Sequence, residues 1–249
     1  MPAVRAIVFD LGHTLWDFAP AKDARSLGVL RFHALLEGAL GDAVPPPRKL
    51  DRALGLALDR WMEDWSGDQL EQPPTECLVR EALELAGLAA PEDLLGQLTT
   101  TIFGDDIEMP VVEPDTLAAI ASLHGRGVAM GCVTNTVLLE DGIVQMLRRL
   151  GLVRYLDSIV VSSAMSYRKP HHSLFQRALD ELGVAPHEAV FVGDRLVDDV
   201  GGAQAVGMRG VLTHQYRQEP LEDARVAPDA VIRRLSELPA AIDRIEAED

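Results

Sequence analysis

The sequence predicts an α/β protein: a doubly wound parallel sheet with an α-helical domain inserted after its first strand. Three observations carry that expectation. Five short apolar, β-branched runs lack the alternation of a half-exposed sheet, as befits strands covered by helices on both faces. Amphipathic stretches of helical period follow the second, third and fourth runs, which makes a βα repeat. More than a hundred residues separate the first run from the second, far more than a crossover needs, and that text reads as helix.

Val4–Phe9 is the first expected strand. Helices are then expected over Ala21–Leu40, Lys49–Trp65, Thr75–Ala86 and Pro91–Phe103, punctuated by Pro45-Pro46-Pro47, Ser66-Gly67 and Pro73-Pro74. Prolines flank both exits, so hinges are expected at Trp16–Pro20 and Glu108–Pro114. This divides the chain into an α/β core domain, residues 1–16 plus 110–249, and a helical cap domain, 17–109. The remaining strands are Val128–Val133, Ser158–Val161, Ala189–Val192 and Gly210–Thr213, with helices at Leu138–Leu150, Ser173–Leu182 and Val200–Val206. The acidic end Glu246–Asp249 reads as a frayed tail. Trp61 and Trp65, four apart on one helical face, read as core packing, while Trp16 stands at the first hinge.

Composition narrows the function. Asp and Glu total 39 against 23 Lys and Arg, a formal charge of −16, which repels nucleic-acid backbones and anionic membranes but suits divalent cations. A local cluster of donors still permits a small phosphate anion. Cys77 and Cys132 stand far apart without metal-ligand spacing, so neither zinc nor a disulfide framework is expected. No signal pattern opens the chain and no apolar run of about 18 residues spans a bilayer, so a cytoplasmic protein is expected. The sequence leaves monomer and homodimer open.

In open α/β sheets ligands bind at the carboxyl ends of the strands. The first run ends in Asp10, the second in Thr134-Asn135, the third is followed by Arg168-Lys169-Pro170, and the fourth ends in Gly193-Asp194. A single Asp at such a place is usually a turn or cap residue. Carboxylate, hydroxyl, ammonium and carboxylate on four ends make a site. Asp10 is the candidate nucleophile. Two carboxylates near 4 Å repel by about 4 kcal/mol at an effective dielectric of 20, so Asp10 and Asp194 call for a cation, and hard Mg²⁺ fits. Lys169 and Thr134 are placed to hold charge developing on phosphoryl oxygens, and Asn135 to orient them. Lys169 is one of only three lysines in a chain with twenty arginines, and Asn135 is the sole asparagine.

These motifs, Asp10-Leu11-Gly12-His13-Thr14-Leu15, Thr134-Asn135, Lys169-Pro170 and Gly193-Asp194 with Asp198-Asp199, resemble those of the haloacid dehalogenase-like hydrolase superfamily, in the branch with a helical cap after the first motif. The resemblance implies a Rossmann-like core and a phosphatase acting on a small phosphorylated metabolite through an aspartyl-phosphate. It implies Mg²⁺ held by Asp10, the backbone carbonyl of Gly12 and Asp194, with Asp198 and Asp199 behind them. The chain departs from the phosphatase pattern at Gly12, where such enzymes carry a second Asp as general acid and base, a function worth about 10²–10⁴ in rate. His13 is the nearest titrating substitute, with Asp17 and the cap as further sources, although His13 also suits a plain tight turn. Branches that cleave carbon–halogen or carbon–phosphorus bonds also lack the second Asp. The retained acidic fourth motif weighs against the first, and the absence of a phosphonatase motif around Lys22 or Lys49 against the second. A phosphate-binding protein with weak or no turnover is the remaining alternative. His171 and His172 read as capping or exposed residues rather than a metal pair.

Overall fold

The computed structural model describes residues 4–18, 24–65, 69–105, 110–221 and 225–248. It contains one six-stranded sheet, β1 (Ala6–Phe9), β2 (Ala129–Thr134), β3 (Ser158–Val161), β4 (Ala189–Gly193), β5 (Arg209–Thr213) and β6 (Ala230–Ile232). Its order is β3-β2-β1-β4-β5-β6 and every pair is parallel. β1 therefore lies at the centre, where the strand order reverses, which is where Rossmann-like sheets open a crevice for a ligand. Five strands fall where the apolar runs predict them. β6 is the exception: three residues at the sheet edge, running directly into Arg233-Arg234, carry too little apolar pattern to be read.

Between β1 and β2 come α1 (Ala24–Leu40), α2 (Pro47–Trp65), α3 (Thr75–Ala86), α4 (Glu92–Thr100) and α5 (Pro114–Gly125). After β2 follow α6 (Glu140–Arg149), α7 (His172–Leu182), α8 (Gly202–Ala205) and α9 (Leu238–Glu248). Period-2 alternation sends Ile7, Phe9, Met130, Cys132, Val190 and Val192 to one face of the sheet, under α5, α6 and α9. Ala6, Val8, Val133, Val160 and Phe191 pack on the other, under α7 and α8. Each fully buried Val, Ile, Met or Phe among them contributes about 1.5–3 kcal/mol.

The helices α1 to α4 close a cluster of their own. Leu50, Ala53, Leu54, Ala57 and Trp61 recur at helical spacing along α2 and meet Phe32, Leu36, Leu78, Leu83 and Leu98. Trp61 is a core residue as expected, whereas Trp65 is half-buried and lines a cavity. No strand of the sheet comes from the described part of this segment. An extended stretch between α2 and α3 ties it to the strand ends. Gln72 N–H donates to Ser166 O (2.9 Å), Arg168 N–H to Leu70 O (3.0 Å), Gln72 Nε2 to Thr136 O (2.8 Å) and Thr75 Oγ1 to Val137 O (3.0 Å).

Three local expectations change. The last inserted helix ends at Thr100 and continues as a π-helical turn, Thr101–Asp105, and the stretch expected as one helix over Val200–Val206 is a π-helical turn, Leu196–Gly201, followed by the short α8. The acidic end is helical to Glu248, and Glu246 accepts a 2.7 Å bond from Val4 N–H, so the chain end is held by its partner rather than frayed; Asp249 lies outside the described residues. At the expected hinges, Asp17 and Val111 pair through two backbone bonds of 3.0 and 2.9 Å. Residues 19–20 and 108–109 of those hinges lie outside the described residues, as do Ser66 and Gly67.

Candidate active site

The ladder that makes β1 also places Asp10, whose N–H donates to Val192 O at 2.9 Å. Thr134 ends β2, Lys169 lies beyond β3 and Asp194 follows β4, so parallel pairing brings four loops distant in sequence to one edge. All four side chains are buried. Lys169 Nζ donates to Asp10 Oδ1 (2.6 Å) and to Asp199 Oδ1 (2.7 Å) and stands 5.2 Å above the ring of Phe191. The lysine is only 2% exposed, too deep for a solvent-facing ion pair.

Asp199 sits closer to the centre than the sequence suggests. The π-helical turn carries its carboxylate back over the end of β4, where a Cβ at Gly193 would come within 2.3 Å of Asp199 Cγ, so glycine is required there. Asp199 Oδ2 accepts from Arg195 N–H at 2.9 Å while Oδ1 holds Lys169, which makes it a positioning anion. Asp198 is half-buried and lines the same cleft. Asn135 also has a part that its position in the sequence does not suggest. Its Oδ1 accepts from Lys169 N–H (2.7 Å) and its Nδ2 donates to Lys169 O (3.1 Å), so both ends of the amide clamp the lysine's main chain.

Gly12 and His13 occupy the turn after β1. His13 has a φ of 58°, uncommon for a residue with a side chain, and its Nδ1 lies 3.1 Å from Asp17 Oδ1. Thr134, Asn135, Gly12 and His13 line the cleft with Asp10, Lys169 and Asp194. The sequence reading missed Arg217, whose Nη1 contacts Asp194 Oδ2 at 2.7 Å. It lies just past β5, on a strand end belonging to the same row, and that position was its only signal.

Burial pushes the Asp10 carboxyl up to about 7; Lys169 pulls it down, while Asp199 and Asp194 push it further up. Asp194 is raised to about 6, again by burial first and then by Asp199, with Arg217 and Lys169 opposing. Asp198 shifts upward for the same leading reason. Negative charge is thus in excess. Asp10, Asp194 and Asp199 each offer a carboxylate oxygen within 4.8 Å of the others. Asp10 Oδ2 and Asp194 Oδ1 carry no hydrogen bond among the described residues, since Lys169 and Arg217 take the opposite oxygens. An all-oxygen, electron-rich set with two open oxygens fits a hard divalent cation.

The fold and the acidic, lysine-braced centre at its switch point define a Rossmann-like enzyme of the aspartate-centred class. The sequence model of the haloacid dehalogenase-like hydrolases matches residues 4–207, and the chain belongs to that family. It is 34% identical over 174 residues to a phosphoserine phosphatase of Thermus thermophilus, 70% of this chain but 65% of that protein's length. The crystal structure of a 2-haloacid dehalogenase from Pseudomonas syringae pv. Tomato DC3000 superposes with a TM-score of 0.66 at 28% identity, covering 97% of this chain and 99% of that one. A HAD phosphatase from Thermococcus onnurineus gives 0.59 at 25% identity, covering 96% and 97%.

Proposed function

We propose that this chain is a Mg²⁺-dependent phosphoric monoester hydrolase acting on a small phosphorylated metabolite in the cytoplasm, with residues 17–109 as a cap over the site. The observation that carries it is the buried Asp10–Lys169–Asp199 cluster beside Asp194, the acidic set that phosphoryl transfer needs. The likeness to named phosphatases supports the same reaction.

Asp10 attacks phosphorus, its oxygen forming the new bond as the ester oxygen leaves with the electron pair and takes up a proton. Water then attacks the aspartyl-phosphate and frees the carboxylate. Lys169 and the Thr134 hydroxyl meet the phosphoryl oxygens where charge develops; loss of one such donor typically costs about 2.7–4 kcal/mol of transition-state stabilisation. Asn135 and Asp199 hold Lys169 in place. Asp10, Asp194 and the Gly12 carbonyl would hold Mg²⁺, which supplies the charge neutralisation that lets a carboxylate approach a phosphate. His13, whose Nδ1 lies 3.1 Å from Asp17 Oδ1, is the proton carrier nearest the missing second Asp. The cap helices exclude water while the phosphoenzyme forms.

Asp10→Asn is expected to lower turnover of an activated phosphate ester by about 10³-fold or more, with EDTA abolishing and Mg²⁺ restoring wild-type activity. Wild-type rates in the variant would remove the assigned nucleophile. Gly12 and the likeness to the P. syringae dehalogenase favour a second reading, and metal-independent halide release from a 2-haloacid would establish it in place of the first.

A further inference from the structure

We propose that the alcohol half of the substrate is an apolar aromatic alcohol, so that the ester hydrolysed is an aryl phosphate. This rests on the phosphatase reading above and names its substrate class.

The space beside Gly12 faces an aromatic ring. A Cβ built there would stand 3.1 Å from Phe18 Cε2 and 3.2 Å from Cζ, so a side chain at position 12 would contact the ring and need it to give slightly. That ring packs edge-on against His13, with centroids 5.4 Å apart. An aromatic surface thus stands beside the position where the second acid is missing. Phe18 is 52% exposed although it lines the cavity, a large apolar group awaiting cover.

The cavity, about 760 Å³, divides by chemistry. Its polar lining, Asp10, Thr134, Lys169, Asp194 and Arg217 among it, comes from the strand ends. Among the described residues, the helices between β1 and α5 contribute no charged side chain to it. Val29, Leu58, Met62, Trp65 and Phe103 are typical of that wall. Hydroxyls, an ammonium or a carboxylate on the alcohol half would lose water against this wall and gain too few partners, whereas a ring buries favourably.

The same choice answers the missing acid. A phenol ionises near pH 10 and an aliphatic alcohol about as reluctantly as water, near 15.7. As Asp10 Oδ bonds to phosphorus and the aryl P–O bond breaks, phenolate departs with the electron pair. It leaves without the proton that an acid at position 12 would deliver, and takes one from His13 or solvent afterwards. Water then cleaves the aspartyl-phosphate to inorganic phosphate.

The test uses the full chain with Mg²⁺ and compares 1-naphthyl phosphate with phosphoserine and glycerol 2-phosphate. Binding of 1-naphthylphosphonate and methylphosphonate is read by tryptophan fluorescence. Expected are a kcat/KM for 1-naphthyl phosphate about 100-fold or more above either polar ester, and about tenfold tighter binding of the naphthyl compound. Met62→Gln, at a wall residue already 51% exposed, should narrow the binding difference by weakening the naphthyl compound. Equal or faster turnover of the polar esters, or equal binding of the two phosphonates, overturns the substrate class and leaves the phosphatase reading intact. Failure to hydrolyse any of the three esters removes both.

Discussion

Lys169 lives at the cost of its surroundings. Burial alone would push its ammonium toward neutrality, but Asp10 and Asp199 more than compensate and hold its pKa above the ordinary lysine value. Lys169→Met would leave both carboxylates buried without their cation. Breaking a buried ion pair in this way typically costs about 3–5 kcal/mol, which urea unfolding would register, alongside loss of turnover. The lysine was legible in the sequence because it stands against an arginine-rich background at a strand end. Asp199's nearer position was not, because only the π-helical turn brings it back over Gly193. Nor was the use of Asn135 as a clamp, since an amide after a strand reads equally well as a phosphate contact.

At the level of elements, α7 begins where the lysine loop ends, and His171 joins them. Its Nδ1 accepts from Ser173 N–H at 3.3 Å and its ring stacks on Tyr167 at 3.8 Å. Burial, then the neighbouring His172, hold its pKa below 6.5, so the folded state favours the neutral ring that can accept. The sign follows: this contribution is fully present above about pH 6.5 and is lost as pH falls through the lowered folded value. His171→Ala should cost about 0.5–2 kcal/mol at pH 8, the usual worth of an N-cap. The difference from wild type should shrink by pH 5 in paired urea titrations; a constant difference would remove the cap assignment. Capping or exposure is what adjacent histidines before a helix suggested, and the element confirms capping for His171.

At the scale of the whole molecule, the helices between β1 and α5 meet the sheet through few backbone bonds. Among the described residues, Gln72 to Ser166, Arg168 to Leu70, Leu139 to Phe103 and the Asp17–Val111 pair are the ones that cross. If these helices open as a unit, the amides of Gln72, Arg168, Leu139, Asp17 and Val111 should exchange with deuterium together and faster than those of β1. Bound orthovanadate should slow all five, while exchange at global-unfolding rates would show that the helices do not move separately. The sequence by itself determined five of the six strands, the helical insertion and the four strand-end residues Asp10, Thr134, Lys169 and Asp194. Burial periodicity and the rule that parallel strands gather their carboxyl ends are both local properties written in residue order. Tertiary structure alone decided that Phe18 lies beside Gly12, that Arg217 reaches Asp194 and that the described residues of the helices offer an apolar wall. Each of these depends on which side chains from distant segments share one volume, and no spacing along a chain encodes that.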